Sequence, residues 1–206
     1  MTLNSTIAEI LQPAYAPCAG FKGPCAGMRW DPKEGHVPRG FRGGAGSIEE
    51  IELVLVFAEP GDPHPHEKHT GLTSAYEYSS RNFETGRDQF HRNVRSILDA
   101  CWPGVSLDLQ MRKVWMTESV LCSAPKEGGP VHGSVTKECG RRYLLPQLRL
   151  LPHALVVALG TKAKNRLQAI GYLDFISVAA VAPPGCNFVG AQDSWKRIPE
   201  ILAGRK

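Results

Sequence analysis

The sequence predicts an α/β fold, a three-layer α/β/α sandwich around a central four-stranded parallel sheet. Short apolar runs at 51–57, 113–121, 153–160 and 174–181 have the length and composition of buried strands. Stretches with a helical period separate them, and parallel strands need such crossovers, which place helices on both faces of the sheet. With 206 residues, 42% of them hydrophobic, the chain suits one domain over 1–206 with a complete core.

The N-terminal MTLNSTIAEILQ carries an acid where a signal peptide would be apolar, and no run approaches the roughly 18 apolar residues of a membrane helix. A cytoplasmic protein with no membrane partner, more simply a monomer than an oligomer, is the expectation. The formal charge of +4 favours an anionic partner only mildly. Residues 12–47, with CAGFKGPCAG and GHVPRGFRGGAG, show neither period and read as an extended loop region. So long a loop inside a domain needs something to hold it, because it buries too little apolar surface to offset its ordering entropy.

IELVLVF (51–57) is the first strand, and RDQFHRNVRSILDAC (87–101) is a helix with Phe90, Val94, Ile97, Leu98 and Cys101 on one face. KVWMTESVL (113–121) is the second strand. Thr136 to Leu151 is helical, with Pro146 bending or breaking it. HALVVALG (153–160) is the third strand, TKAKNRLQAIG its following helix, and DFISVAAV (174–181) the fourth strand; DSWKRIPEILAG closes the chain as a helix.

In parallel α/β sheets ligands bind beyond the carboxyl ends of the strands. Glu59, Glu118, Gly160 and the stretch 182–185 follow or end strands on that rim. Glu59 leaves its strand into Pro60 and Gly61, which places an acid for chemistry; the plain alternative is a solvated turn residue. His64, His66 and His69 lie close together in DPHPHEKH, but the prolines deny them a helical face, so a solvated loop is expected there rather than a metal site. Arg39 and Arg42 in the glycine-rich GFRGGAG stretch are weak candidates for a phosphate cradle.

Several strings, in order, resemble the uracil-DNA glycosylase superfamily, in particular its iron-sulfur family 4, over about Cys18 to Ala182. Phe57-Ala58-Glu59-Pro60-Gly61 stands where that family has G-E-A-P-G, and Met116 to Pro125 looks like I-T-N-V-V-K-C-R-P-P. Glu138 to Leu148 is similar to the A-C-R-P-Y-L-L-E-Q-I helix, and Val157 to Ala163 to V-A-L-G-A-T-A. The resemblance implies a DNA glycosylase that hydrolyses the N-glycosidic bond of uracil or a related damaged base, with DNA as its partner. It implies a [4Fe-4S] cluster on Cys18, Cys25, Cys122 and Cys139, which would pin the 12–47 segment; structural zinc is the alternative. Cys18 and Cys25 are separated by six intervening residues, a wider gap than the family's tight pair.

By the same resemblance Glu59 is the water-orienting acid, in the placement of family 1 rather than family 4, and Ala58, Pro60 and Gly61 line the base site. Phe83 is the preferred stacking platform, with Tyr78 and Tyr76 as alternatives. Gly160, Thr161, Lys162, Pro184, Gly185 and Phe188 fall on the DNA-contacting strings, and Phe188 is the candidate wedge into the vacated stack. Two departures stand out. Glu118 replaces the asparagine that reads uracil, so either burial keeps it protonated as an amide mimic, or another base is accepted. Ala182-Pro183-Pro184-Gly185 replaces H-P-S, and Asn187 is the candidate for the lost histidine's role. A noncatalytic iron-sulfur nucleic-acid-binding protein on the same scaffold is the second reading, and a small-molecule α/β enzyme the third.

Overall fold

The structure is a computed structural model that describes residues 2–205. Its sheet has five strands, β1 (Arg42–Gly43), β2 (Leu53–Phe57), β3 (Val114–Glu118), β4 (Leu155–Leu159) and β5 (Ile176–Val178), in the order β1-β3-β2-β4-β5. The four strands β2 to β5 are parallel, as the apolar runs predict, and the two-residue β1 joins them antiparallel at the edge beside β3. That fifth strand comes from the segment read as irregular loop; Gly43 and Gly44 adopt φ of 89° and 58°, a left-handed bend open to glycine.

Alternation along the strands splits the core in two. Val54, Val56, Trp115, Val156 and Ala158 face one layer, packed by α1 (Ser5–Leu11), α5 (Gly133–Cys139), α6 (Leu145–Leu150) and α7 (Thr161–Ala169). Leu53, Leu55, Phe57, Met116, Val157 and Leu159 face the other, packed by α3 (Gln89–Cys101) and α8 (Ala191–Ala203), with α4 (Leu107–Lys113) feeding β3. Helix α2 (Leu72–Thr85) straddles the two, with Leu72, Ala75 and Tyr76 in the first core and Phe83 in the second.

The break in the helix predicted over 136–151 falls before its proline. Gly140–Leu144 widen into a π turn, and Pro146 then sits in the first turn of α6, where its missing N–H costs nothing. Helices α1, α2 and α4 are absent from the sequence reading. Asn4 caps α1 by accepting from Thr6 N–H, and its buried face is only Ile7 and Leu11.

Candidate functional site

Beyond Phe57 and Glu118 the paired strands β2 and β3 stay together. Ser119 N–H donates to Phe57 O at 2.9 Å, Val120 N–H to Ala58 O at 3.1 Å, and Ser119 Oγ to Ala58 O at 2.7 Å. The chain leaving β2 is therefore held flat while Glu59 turns in. Its side chain is only 4% exposed and meets Lys162 Nζ at 2.6 Å and Arg166 Nη1 at 2.5 Å. Both cations belong to one face of α7, four residues apart. Helix α7 starts at Gly160, whose φ of 95° and close approach to Ala180, 2.8 Å from where a Cβ would stand, leave no room for a side chain. Arg166 approaches Glu59 Oε2 without hydrogen-bond geometry, so that buried oxygen keeps its lone pairs for another donor.

Glu118 ends β3 on the same rim. It is 5% exposed, its carboxyl accepts from Gly40 N–H, and its Oε2 has no hydrogen-bond partner. Burial pushes its pKa well above the usual carboxylate range; nearby Arg39 pulls the other way and Glu59 adds to the rise. Gly40 is required opposite it, since a Cβ there would stand 1.9 Å from Glu118 Oε1. A neutral carboxyl offers one O–H donor beside one acceptor, the pattern of an amide, and of the two readings of this position the protonated one fits its surroundings.

Glu59 and Glu118 line one cavity of about 380 Å³, open at the rim, whose walls include Ala58, Pro60, Gly61, Tyr78 and Phe83. An aromatic wall forms one side. Phe90 stands edge-on to Phe57 at 5.0 Å and to Phe83 at 6.1 Å, and Phe83 edge-on to His91 at 4.7 Å. Phe83 is buried, Phe90 only partly, and Tyr78 is turned to His69 and to Arg87, which donates to its hydroxyl at 2.6 Å. Tyr76 belongs to the core, its hydroxyl donating to Gly43 O. His91 Nδ1 pairs with Asp88 Oδ1 at 2.8 Å, and both line the cavity; burial lowers the His91 pKa, against the pull of Asp88.

The sequence reading of this neighbourhood missed Asp88 and His91, took Phe90 as core alone, and named Arg39 and Arg42 for phosphate rather than for this cavity. Asp88 followed three residues later by His91 at a helix start was a legible cap, since Asp88 accepts from His91 N–H at 3.0 Å. The expected solvated histidine loop is solvated only in part. His64 and His66 are exposed, but His69 is buried and pairs with Glu67 at 2.8 Å, and Arg39 joins that pair at 3.4 Å, so an internal ion pair anchors the loop. Arg39 also donates to Gly35 O, Val37 O, Ser123 Oγ and Gly61 O, tying the N-terminal segment to the loop after β2. Neither Arg39 nor Arg42 forms an open phosphate cradle: both line the cavity.

The 182–189 loop is only partly drawn in. Ala180, Val181 and Ala182 line the cavity, whereas Asn187 is exposed outside it, its Oδ1 accepting from Gln89 Nε2 and Cys186 Sγ, both at 3.3 Å. Pro184 and Gly185 are exposed, and the tip ends in Phe188, 59% exposed, and Val189, 99% exposed. Thr161 is exposed at the start of α7, while Lys162 is committed to Glu59 and to Gly128 O and Gly129 O at 3.0 and 2.9 Å.

The four cysteines named for a cluster meet at a second, small cavity of about 20 Å³. Cys18 and Cys25 come from the N-terminal segment, Cys122 from the loop after β3 and Cys139 from the end of α5. The six-residue gap closes through a 3-10 turn at Ala19–Lys22; a Cβ on Gly20 would lie 3.0 Å from Cys25 Sγ and 3.3 Å from Cys18 Sγ. Leu121 N–H donates to Cys139 Sγ at 3.4 Å. Burial pushes the Cys139 thiol up to about 12 and the Cys25 thiol to about 11, and Cys122 higher still, each raised further by neighbouring sulfurs of the set. Among the described residues no group of three or more His, Cys, Asp or Glu is arranged to hold a metal ion. The convergence is of four thiols on one apolar space, a donor set of the kind iron-sulfur clusters use. Cys101 packs against the α3 core, and Cys186 is buried beside Asn187.

Compared with known proteins, the chain matches no family model and no curated protein. Among the described residues no helix is long and apolar enough to cross a membrane.

Proposed function

We propose that this protein is a DNA base-excision N-glycosylase that takes an extruded nucleotide into the cavity at the carboxyl end of the sheet. The observation that carries the reading is the meeting, in one recess, of a carboxylate whose buried Oε2 has no hydrogen-bond donor, a second carboxyl that burial pushes toward its neutral form, and an aromatic wall.

In this mechanism the base leaves the stack and lies against the Phe83 and Phe90 side of the cavity. Glu118 reads its edge, donating through O–H and accepting through C=O. Glu59, fixed by Lys162 and Arg166, accepts a hydrogen bond from water at Oε2 and faces the sugar as its anomeric carbon gains positive charge. As the glycosidic bond breaks, its electron pair stays on the base nitrogen; the water oxygen bonds to the sugar carbon and gives its proton to Glu59 Oε2, and the released base takes up a proton. Cys18, Cys25, Cys122 and Cys139 would hold a [4Fe-4S] cluster, whose role when bound is to cross-link the N-terminal segment to the loop after β3. Zinc remains the alternative, though it needs four sulfurs about 2.3 Å from a single centre.

Purified protein is incubated with single and double strands carrying uracil or other damaged bases. Base release, lost in Glu59→Gln while DNA binding persists, supports the proposal, and no release from any strand overturns it. The exposure of Asn187 outside the cavity favours a second reading, a noncatalytic nucleic-acid-binding protein on this scaffold. That reading predicts salt-dependent DNA binding that Glu59→Gln leaves unchanged, with no base released.

A further inference from the structure

Most of the buried acids and bases around the main cavity are paired. Glu59 is held between Lys162 and Arg166, Glu67 between Arg39 and His69, and Asp88 by His91, while Glu118 is buried with Arg39 nearby. Arg42 is left over. It is 2% exposed and lines the cavity, yet its Nε and Nη1 have no hydrogen-bond partner and no carboxylate pairs with it. Its guanidinium carbon rests 4.6 Å from the centre of the Tyr76 ring, and the Tyr76 hydroxyl, which donates to Gly43 O, accepts from the guanidinium but leaves Nε and Nη1 unmet. The exposed Glu84 and Asp108 act on it only from a distance.

Strand register gives its depth. Arg42 lies opposite Met116 on β3, two residues before Glu118, and Gly40 lies against Glu118 itself. At about 3.3 Å per residue the Arg42 backbone stands roughly 7 Å further from the rim than that of Glu118, on the same face of the sheet. A base that enters with its sugar at Glu59 and its edge at Glu118 therefore points any substituent on its far side toward Arg42. A buried guanidinium with unpaired donors is costly unless a ligand supplies acceptors.

We propose that Arg42 forms a specificity subsite at the deep end of the cavity for an anionic or acceptor-rich group, carried on the base at the edge remote from the glycosidic bond. The inference rests on the glycosylase reading for how the ligand enters, but the subsite itself is a matter of binding.

The test uses the free bases uracil and 5-carboxyuracil as probes, with affinities measured by calorimetry on the full chain and on Arg42→Gln and Arg42→Lys. Wild type is expected to bind 5-carboxyuracil at least about tenfold more tightly than uracil. Arg42→Gln brings the two to parity, and Arg42→Lys keeps part of the preference. Arg42→Gln also melts no lower than wild type without ligand, because it removes a buried charge whose Nε and Nη1 donors have no acceptor in the protein. Equal affinities in wild type, a preference that survives Arg42→Gln, or a variant that melts well below wild type or fails to fold would each overturn the subsite; the last would make Arg42 a structural prop. Preferential binding of 5-carboxyuracil with no base released from DNA would sink the glycosylase reading and leave the subsite standing, whereas base release with no such preference would do the reverse.

Discussion

Replacing Glu118 by Gln tests whether this buried rim carboxyl is held neutral. The side chain is buried at the end of β3, its Oε2 has no partner, and burial raises its pKa well above the ordinary 4.5. Below about pH 4.5 both folded and unfolded chains carry the proton, and the group's contribution to stability is fully present. As pH rises the unfolded chain releases the proton first, so stability falls until the pH passes the folded-state pKa. The loss is about 1.4 kcal/mol for each pH unit in that window. Gln keeps the shape and the acceptor for Gly40 N–H and does not titrate. The difference in unfolding free energy, wild type minus Glu118→Gln, therefore slopes downward from pH 4.5 by about that amount per unit and levels off at the folded-state pKa. Urea unfolding of both proteins at half-unit steps up to about pH 8 reads the difference directly, since other groups cancel between the two. Parallel curves across this range would refute the neutral acid and, with it, the amide-like reading of the base.

Glu59→Gln leaves Arg166 and Lys162 facing a neutral amide, and loss of a buried ion pair costs about 3 kcal/mol. Arg166 accounts for most of this because Lys162 is well exposed, so Lys162→Met should cost much less in the same unfolding assay. Gly160→Ala forces a side chain onto φ of 95° and into Ala180; thermal unfolding should show a loss of about 2 kcal/mol, and an unchanged melting point would contradict the turn. Anaerobically purified protein should contain iron and sulfide in the cluster ratio, and Cys18→Ala with Cys25→Ala should abolish both and leave 12–47 sensitive to protease. Wild type free of iron but carrying zinc would decide for the alternative.

The parallel sheet was legible because β2, β3 and β4 are buried on both faces and read as unbroken apolar runs. Their ends were predicted too long where apolar residues continue into loops, as at Val120 and Leu121, which turn to the cysteine cavity. Helix α2 escaped because its buried stripe of Leu72, Ala75, Tyr76, Ser79 and Phe83 mixes polar and small residues with aromatics. Strand β1 escaped because two residues carry no period. The rim position of Glu59 and Glu118 followed from strand order alone, and the cavity unites them. Arg42 was not legible as a cavity residue, since its burial depends on pairing with Met116, some seventy positions away. Asn187 was expected at the chemistry, yet the turn through Pro183 and Pro184 carries it to the surface beside Gln89.

Only five residues, Glu118 to Cys122, connect the wall of the larger cavity to the sulfur-lined one. Ser119 and Val120 between them are stapled to Phe57 and Ala58, so the stretch has little slack with which to absorb a disturbance. Oxidative damage at Cys122 would thus be felt at the Glu118 carboxyl, and the health of one chamber becomes a condition for the shape of the other.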